Sequence, residues 1–152
     1  MNSKRENIWW IILFLWMGII FYMSHQPGNI SSQQSDLVLK ILESIGINLT
    51  SSLGEFSTLL IRKVAHVSEY FILCYLFIKV TEQYFDSKKA IIFAIIFTVT
   101  YAISDEIHQY FIPGRAMAIT DIIIDSIGAI LMGITRIAYN KYKIKKLKFL
   151  KA

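Results

Sequence analysis

Cysteine and proline are almost absent from this chain of 152 residues, which has one cysteine and two prolines. The single cysteine, Cys74, excludes a disulfide within the chain and a metal site built on paired cysteines. Because Cys74 lies inside an apolar run, we interpret it as a buried packing residue. Each proline precedes a glycine: Pro27-Gly28 is predicted to end a helix, and Pro113-Gly114 is predicted to make a tight turn.

Acidic residues are outnumbered by basic ones, 11 against 16, and basic residues gather in the last part of the chain. This group consists of Arg136, Lys141, Lys143, Lys145, Lys146, Lys148 and Lys151. A basic tail could bind nucleic acid, but lysines that follow an apolar run are typical of the cytoplasmic end of a membrane helix. We therefore predict membrane lipids, and no nucleic acid, as partners.

Hydrophobic residues make up 55% of the chain, and its mean hydropathy is +0.49. They form long runs without alternation, which excludes strands and predicts membrane helices at about 8–24, 58–80, 90–112 and 117–139. Between the first two, Ser35 is the predicted N-cap of a short amphipathic helix that lies at the membrane surface or caps the bundle. The predicted fold is an all-α integral membrane four-helix bundle, one domain over 1–152, ending in a basic tail at 140–152.

The positions of lysine and arginine outside the apolar runs predict how the bundle sits in a cell membrane. Lys4 and Arg5 precede the first span, three lysines lie near the loop between the second and third, and the basic tail follows the fourth. The other two connections hold Lys40 and Arg115 alone. By the positive-inside rule both termini are predicted to be cytoplasmic, so that 24–57 and the 113–115 turn face outward.

Charged residues interrupt the apolar runs, although a charge at membrane depth costs roughly 2.5–3.5 kcal/mol on insertion scales. Helical spacing places them on shared faces: Arg62, His66 and Glu69 on the second span, Asp105, His108 and Gln109 on the third, Asp121 and Asp125 on the fourth. All three faces fall in the predicted outer half of the membrane. We expect them to face one another around an outward-opening polar pocket.

Four kinds of chemistry fit these residue types. Histidines and carboxylates could act as general acid and base or hold a divalent metal. Arg62 and Arg115 could clamp a phosphate or carboxylate. A buried salt-bridge network, such as Arg62–Asp105 or Arg115–Asp121, could instead only fix the helix register. The candidate catalytic residues, with roles unassigned, are His66, Glu69, Asp105, Glu106 and His108. The candidate substrate-binding residues are Arg62, Lys63, Tyr70, Gln109, Arg115, Asp121 and Asp125, together with Ser24 and Gln26 at the mouth of the pocket.

Several short motifs carry these residues in a fixed order. They are Ser24-x-Gln26-Pro27, RKVAHVSEY at 62–70, SDEIHQ at 104–109, Pro113-Gly114-Arg115, Thr120-Asp121 and Gly128. This ordered set resembles the VanZ-like family of small membrane proteins, over about residues 8–138. One departure is Asp125, where the family often has asparagine.

The resemblance implies an integral membrane protein of the cell envelope, associated with low-level resistance to teicoplanin-type lipoglycopeptides. It implies no settled reaction, and the motif residues carry over as candidate site residues. The first hypothesis is a protein that alters how lipoglycopeptides meet the outer membrane leaflet. The second is a membrane enzyme acting on a lipid head group or a lipid-linked cell-wall precursor, with Glu69, Asp105 or His108 as acid or base. The third is a proton-coupled transporter or flippase.

Overall fold

A computed structural model describes residues 3–150 of the chain and the side chains of residues 7–150. Six helices are present in this range: α1 (Ser3–Ser24), α2 (Gly28–Ser44), α3 (Leu49–Leu53), α4 (Phe56–Thr81), α5 (Ser87–Gln109) and α6 (Ile119–Phe149). No strand occurs in the described part, and α1, α4, α5 and α6 are long and apolar enough to cross a membrane. The predicted all-α membrane bundle is confirmed. Lys151, the last lysine of the predicted tail, and the side chains of Lys4 and Arg5 lie outside the described residues.

The helix between the first two spans differs from its prediction. It begins at Gly28 and not after Ser35, because Pro27 is its N-cap residue and the Pro27 carbonyl accepts the N–H of Ser31 at 3.1 Å. Ser35 lies within α2, where it is buried and its Oγ donates to the carbonyl oxygen of Ser31 at 3.2 Å. The N-cap prediction for Ser35 is therefore wrong, and a second short helix, α3, follows before the next span.

The last two spans also have different ends from those predicted. Helix α5 ends at Gln109, because the chain turns there and the N–H of Ile112 donates to the Gln109 carbonyl at 3.0 Å. Helix α6 continues through most of the predicted tail to Phe149. Its 31 residues give a length of about 46 Å at 1.5 Å per residue, well beyond the ~30 Å of the hydrocarbon core.

Helix α6 packs along both α4 and α5, while α1 and α2 pack against α4. Leu13 and Ile20 of α1 are buried against Leu73 and Leu76 of α4. A second cluster joins α4, α5 and α6 and includes Cys74, which is fully buried as predicted. Helices α4 and α6 run parallel, and α1 and α5 run antiparallel to them. The ends of α1 and α5 therefore lie beside the starts of α4 and α6.

Candidate functional site

Four segments bring polar side chains to one end of the bundle: the ends of α1 and α5, the first half of α4 and the start of α6. Direct hydrogen bonds connect them, including Ser24 to Asp105 and His66 to Asp125. The residues predicted to form a site are therefore gathered in one layer. Within that layer the structure divides them into separate groups.

Asp105 is the centre of a hydrogen-bond cluster that joins α5 to α1. Its Oδ2 accepts from Ser24 Oγ at 2.7 Å and from Gln109 Nε2 at 2.9 Å. All three side chains are buried. Because a buried carboxylate is costly unless it is hydrogen-bonded, these two donors stabilise Asp105 in the layer. The cluster holds the end of α1 against α5.

Arg115, in the turn between α5 and α6, reaches back to the end of α1. Its Nε donates to the carbonyl of Gln26 at 2.8 Å, Nη2 to the carbonyl of Met23 at 3.1 Å, and Nη1 to Gln109 Oε1 at 3.0 Å. Burial lowers the pKa of Arg115 from its ordinary value, and the positive charge of Arg62 lowers it further. The carboxylates of Asp105, Glu106 and Glu69 act in the opposite direction on this pKa, so charges of both signs lie near Arg115.

Two glycines allow the segments around Arg115 to come together. The N–H of Gly28 donates to the carbonyl of Pro113 at 3.2 Å, and a Cβ at Gly28 would lie 2.1 Å from the carbonyl oxygen of Gly114. Gly114 has a φ of +74°, which favours glycine. The start of α2 is thus fastened to the turn that carries Arg115.

A second group joins α4 to α6. His66 Nδ1 lies 3.2 Å from Asp125 Oδ1, and the Asp125 side chain is fully buried. One turn before this pair, Lys63 forms an ion pair with Asp121. Gly128 brings the two helices this close, because a Cβ there would lie 2.4 Å from a backbone carbonyl oxygen of α4. Asp125 Oδ2 is buried and accepts no hydrogen bond from the described residues.

Glu106 lies against the start of α6. Its Oε2 accepts the backbone N–H of Ala118, the residue before α6, at 2.9 Å, and its side chain is fully buried. A carboxylate is favoured there because the first N–H groups of a helix carry partial positive charge. The second oxygen, Oε1, accepts no hydrogen bond from the described residues. Glu106 thus positions α6 relative to α5.

A pocket of about 130 Å³ opens between α1, α2 and α4, beside both groups. Its polar lining consists of Ser24, Ser31, Gln34, Ser35, Arg62, His66, Glu69 and Arg115. The volume exceeds the ~10–15 Å³ needed for one water but is far below the ~300–1,000 Å³ of a drug-sized site. The pocket can hold a few waters or a group such as a phosphate or carboxylate. A whole lipoglycopeptide is too large for it.

Arg62 and Glu69 are the charged lining residues that have no direct partner. In the described part of the chain, the side chains of both make no hydrogen bond and no ion pair. The proposed register pairs Arg62–Asp105 and Arg115–Asp121 do not form among the described residues. Lys63, and not Arg115, pairs with Asp121. The two pairs given as examples of a register-fixing network are therefore not the ones formed, and Arg62 lines the pocket.

His108 lies outside the pocket, although it was predicted to share a face with Asp105. Its Nε2 is 3.1 Å from Nδ1 of His25, and its ring stacks on Phe21 with centroids 4.6 Å apart. One residue along a helix turns the side chain by about 100°, so His108 and its neighbour Gln109 point to different sides.

Tyr70 is fully buried and packs near Tyr101, with ring centroids 6.5 Å apart.

The described histidine and carboxylate side chains are not arranged to bind a divalent metal. In residues 7–150, no set of three or more histidine, cysteine, aspartate or glutamate side chains is placed to hold a metal ion. His66 meets Asp125, and Asp105 meets Ser24 and Gln109. The described residues therefore offer no complete set of protein ligands for the metal that the sequence allowed.

Helix α2 supplies lining residues that the sequence analysis did not identify. Ser31 and Ser35 are buried and, with Gln34, form the wall of the pocket opposite α4. Their spacing of i, i+3, i+4 is itself a polar helical stripe, so the pattern was present in the sequence. It was missed because the helix was predicted to begin at Ser35, which left Ser31 and Gln34 outside it.

The comparison with protein families identifies the chain. A family model described as VanZ/LLP1 matches residues 9–138, which include every predicted site residue. No curated protein and no solved structure matches the chain. The family match covers most of the sequence and agrees with the resemblance carried by the ordered motifs. The chain therefore belongs to the VanZ/LLP1 family.

Proposed function

We propose that this VanZ-like membrane protein acts at the cell envelope by binding a small anionic group of a membrane lipid or lipid-linked precursor in its polar pocket. Binding there would change how teicoplanin-type lipoglycopeptides meet the outer leaflet, which would give low-level resistance. The observation that supports this proposal is Arg62, which lines the pocket without an ion-pair partner among the described residues.

The chemistry of the lining favours an anion. Arginine side chains recognise phosphate and carboxylate through paired N–H donors. Arg62 and Arg115 both line the pocket together with one carboxylate, that of Glu69. Ser31 and Gln34 supply further donors, whereas the Ser35 hydroxyl already donates to the carbonyl of Ser31. An unpaired arginine near membrane depth is costly. A bound anionic group would remove that cost, and the pocket volume suits a phosphate.

The same proposal assigns the pocket to the outer side of the membrane. The opposite end of the bundle carries the lysines of the α4–α5 loop and of the last turns of α6. The positive-inside rule places that end in the cytoplasm. The pocket then opens at the outer leaflet, where lipid-linked cell-wall precursors and lipoglycopeptides meet.

A membrane enzyme is the second candidate, and the pair His66–Asp125 favours it. A carboxylate bonded to Nδ1 fixes the tautomer of an imidazole and raises its basicity, leaving Nε2 to take a proton. His66 also lines the pocket that holds Arg62. In this version His66 is the general base, Asp125 its positioning residue, and Arg62 the group that holds the anionic substrate. His108, which lies outside the pocket, has no part in it.

The test compares lipoglycopeptide susceptibility and membrane lipids in cells without the protein, with the native protein, and with variants expressed to equal levels. Arg62→Gln should abolish the change in susceptibility caused by the native protein. The matched control is Lys40→Gln, which removes one positive charge from an exposed position on α2 outside the pocket. Equal activity of Arg62→Gln and native protein would contradict the proposal.

Lipid mass spectrometry of the same cells separates the two candidates. Binding alone predicts identical lipid and precursor profiles in all of them. An enzyme predicts a species that accumulates both without the protein and with His66→Asn, while Arg62→Gln reduces turnover through binding.

A further inference from the structure

The basic end of the bundle contains a groove that the proposed function does not use. It lies between the start of α5 and the last turns of α6 and has a volume of about 580 Å³. Its walls are apolar and include Ile91 and Ile92 of α5 and Ile137 and Ile144 of α6. The volume falls within the ~300–1,000 Å³ of small-molecule sites. It is thus several times larger than the polar pocket.

Three lysines line the rim of this groove: Lys88 on α5 and Lys141 and Lys143 on α6. All three are exposed, and none takes part in an ion pair among residues 7–150. The neighbouring basic residues behave differently, since Arg136 is paired with Glu82 at 2.6 Å and Lys89 with Asp86 at 3.6 Å. Three uncompensated positive charges therefore border one apolar groove.

A hydrogen bond between α6 and α5 shows where these lysines lie relative to the end of the α5 span. Asn140 Nδ2 donates to Ser87 Oγ at 2.7 Å, so residue 140 of α6 lies level with the first residue of α5. The 23 residues of α5 span about 35 Å, slightly more than the ~30 Å hydrocarbon core. The rim of the groove therefore lies at the membrane surface, and Ile92 and Ile137 lie one turn deeper, in hydrocarbon.

We infer that this groove binds one molecule of an anionic phospholipid, independently of the polar pocket. Its phosphate lies among Lys88, Lys141 and Lys143, and one acyl chain runs along Ile92 and Ile137. Positive charge lies at head-group level, and Ile91, Ile92 and Ile137 form apolar surface below it. Ile144 lies one turn farther from the hydrocarbon, beside the head groups. A zwitterionic phospholipid fits the apolar wall equally well but gains less from three lysines.

The test measures lipid binding to the purified full-length protein in a mild detergent by native mass spectrometry. The probes are phosphatidylglycerol and phosphatidylcholine with identical acyl chains. The protein should retain phosphatidylglycerol at one molecule per chain and bind it more tightly than phosphatidylcholine. Lysine near an anionic membrane surface is worth roughly fivefold in affinity, so Lys88→Gln/Lys141→Gln/Lys143→Gln should weaken binding by up to about 100-fold.

The chain offers a control of identical charge. Lys145→Gln/Lys146→Gln/Lys148→Gln also removes three positive charges, all of them from α6, but these residues do not line the groove. This variant should keep phosphatidylglycerol at one molecule per chain. If both triple variants lose binding equally, the attraction is a diffuse effect of net charge and the groove site is refuted.

The apolar wall is tested by a second pair of variants that keeps every charge. Ile137→Trp places a larger side chain in the groove and should displace the lipid, whereas Ile134→Trp lies on an exposed face outside it and should not. Glycerol phosphate, which has the head-group anion without acyl chains, should compete weakly. Unchanged binding by Ile137→Trp, or full competition by glycerol phosphate, would overturn the inference that the groove holds an acyl chain.

Discussion

Replacing Gly128 with alanine should force α4 and α6 apart. The new Cβ would lie 2.4 Å from the carbonyl oxygen of Val67 and 3.0 Å from the backbone N of Phe71. Both are backbone atoms of α4 and cannot rotate away as a side chain can. Ordinary contact begins at 3.4 Å, so α4 must move by roughly 1 Å, in a protein interior that is already close-packed.

Three effects of Gly128→Ala decide the change in the free energy of unfolding. Overpacking costs about 1–3 kcal/mol. A shift of roughly 1 Å would also lengthen the 3.2 Å contact between His66 and Asp125 beyond hydrogen-bonding distance, and a buried group that loses its partner costs about 1–3 kcal/mol. Alanine regains about 0.8–1.0 kcal/mol over glycine within a helix. The expected net loss is about 1–5 kcal/mol, with a midpoint of about 3 kcal/mol.

Two other glycines on membrane helices provide controls for this substitution. A Cβ at Gly18 would have nothing within 4 Å, and a Cβ at Gly133 would meet chiefly the Cδ1 of Ile95, the end of a flexible side chain. Gly18→Ala should be neutral or slightly stabilising, and Gly133→Ala should cost less than about 1 kcal/mol. Unfolding in mixed micelles of dodecyl sulfate and a mild detergent, followed by circular dichroism, gives the ranking. If Gly128→Ala is as stable as Gly133→Ala, the reasoning from backbone contact is wrong.

Two further predictions concern the other end of the bundle and its orientation. Arg136→Gln should lower the free energy of unfolding by about 1–3 kcal/mol, because it removes the charged hydrogen bonds to both carboxylate oxygens of Glu82. A double-mutant cycle with Glu82→Gln should show positive coupling between the two residues. A coupling of zero would refute the ion pair. In a Cys74→Ser background, Asn29→Cys should react with a membrane-impermeant maleimide on intact cells, and Lys145→Cys should react only after the cells are permeabilised. Both positions are exposed, and they lie at opposite ends of the bundle. The reverse labelling pattern would place the pocket on the cytoplasmic side.

The four spans could be predicted because a long apolar run has one stable structure in lipid. With no water to satisfy the backbone, such a segment must be helical. The ends of the helices were harder to predict, because the residues that start or stop a helix act locally and two such residues can lie close together in the sequence. Ser35 has the chemistry of an N-cap, but the Pro27 carbonyl already accepts the N–H of Ser31, and α2 buries Ser35 against the bundle. The packing of α2 against the bundle decided between the two starting points, and this packing could not be predicted from the sequence pattern alone.

The polar layer could be predicted, but its pairs could not. Arg62 and Lys63 are adjacent and equally charged, yet a rotation of about 100° separates their directions on a helix. That rotation places Lys63 beside Asp121 and Arg62 in the pocket. The same geometry sends Gln109 to Asp105 and His108 to His25. Which residue of such a neighbouring pair faces a given helix depends on the rotation of the whole helix about its axis. Contacts such as that of Gly128 set this rotation.

Helix α6 lines the groove and reaches the polar pocket through the contact of Asp125 with His66, and the way it is held suggests that the two sites act independently. At the polar end Asp121 and Asp125 connect α6 to α4, and at the basic end Arg136 and Asn140 connect it to the α4–α5 loop and to α5. A shift of α4 caused by Gly128→Ala acts within one turn of Asp125 but two turns from Arg136. Such a shift should therefore impair binding in the polar pocket and leave phosphatidylglycerol binding at the groove unchanged. Loss of both together would mean that α6 moves as a rigid unit and that the two ends of the bundle are coupled through it.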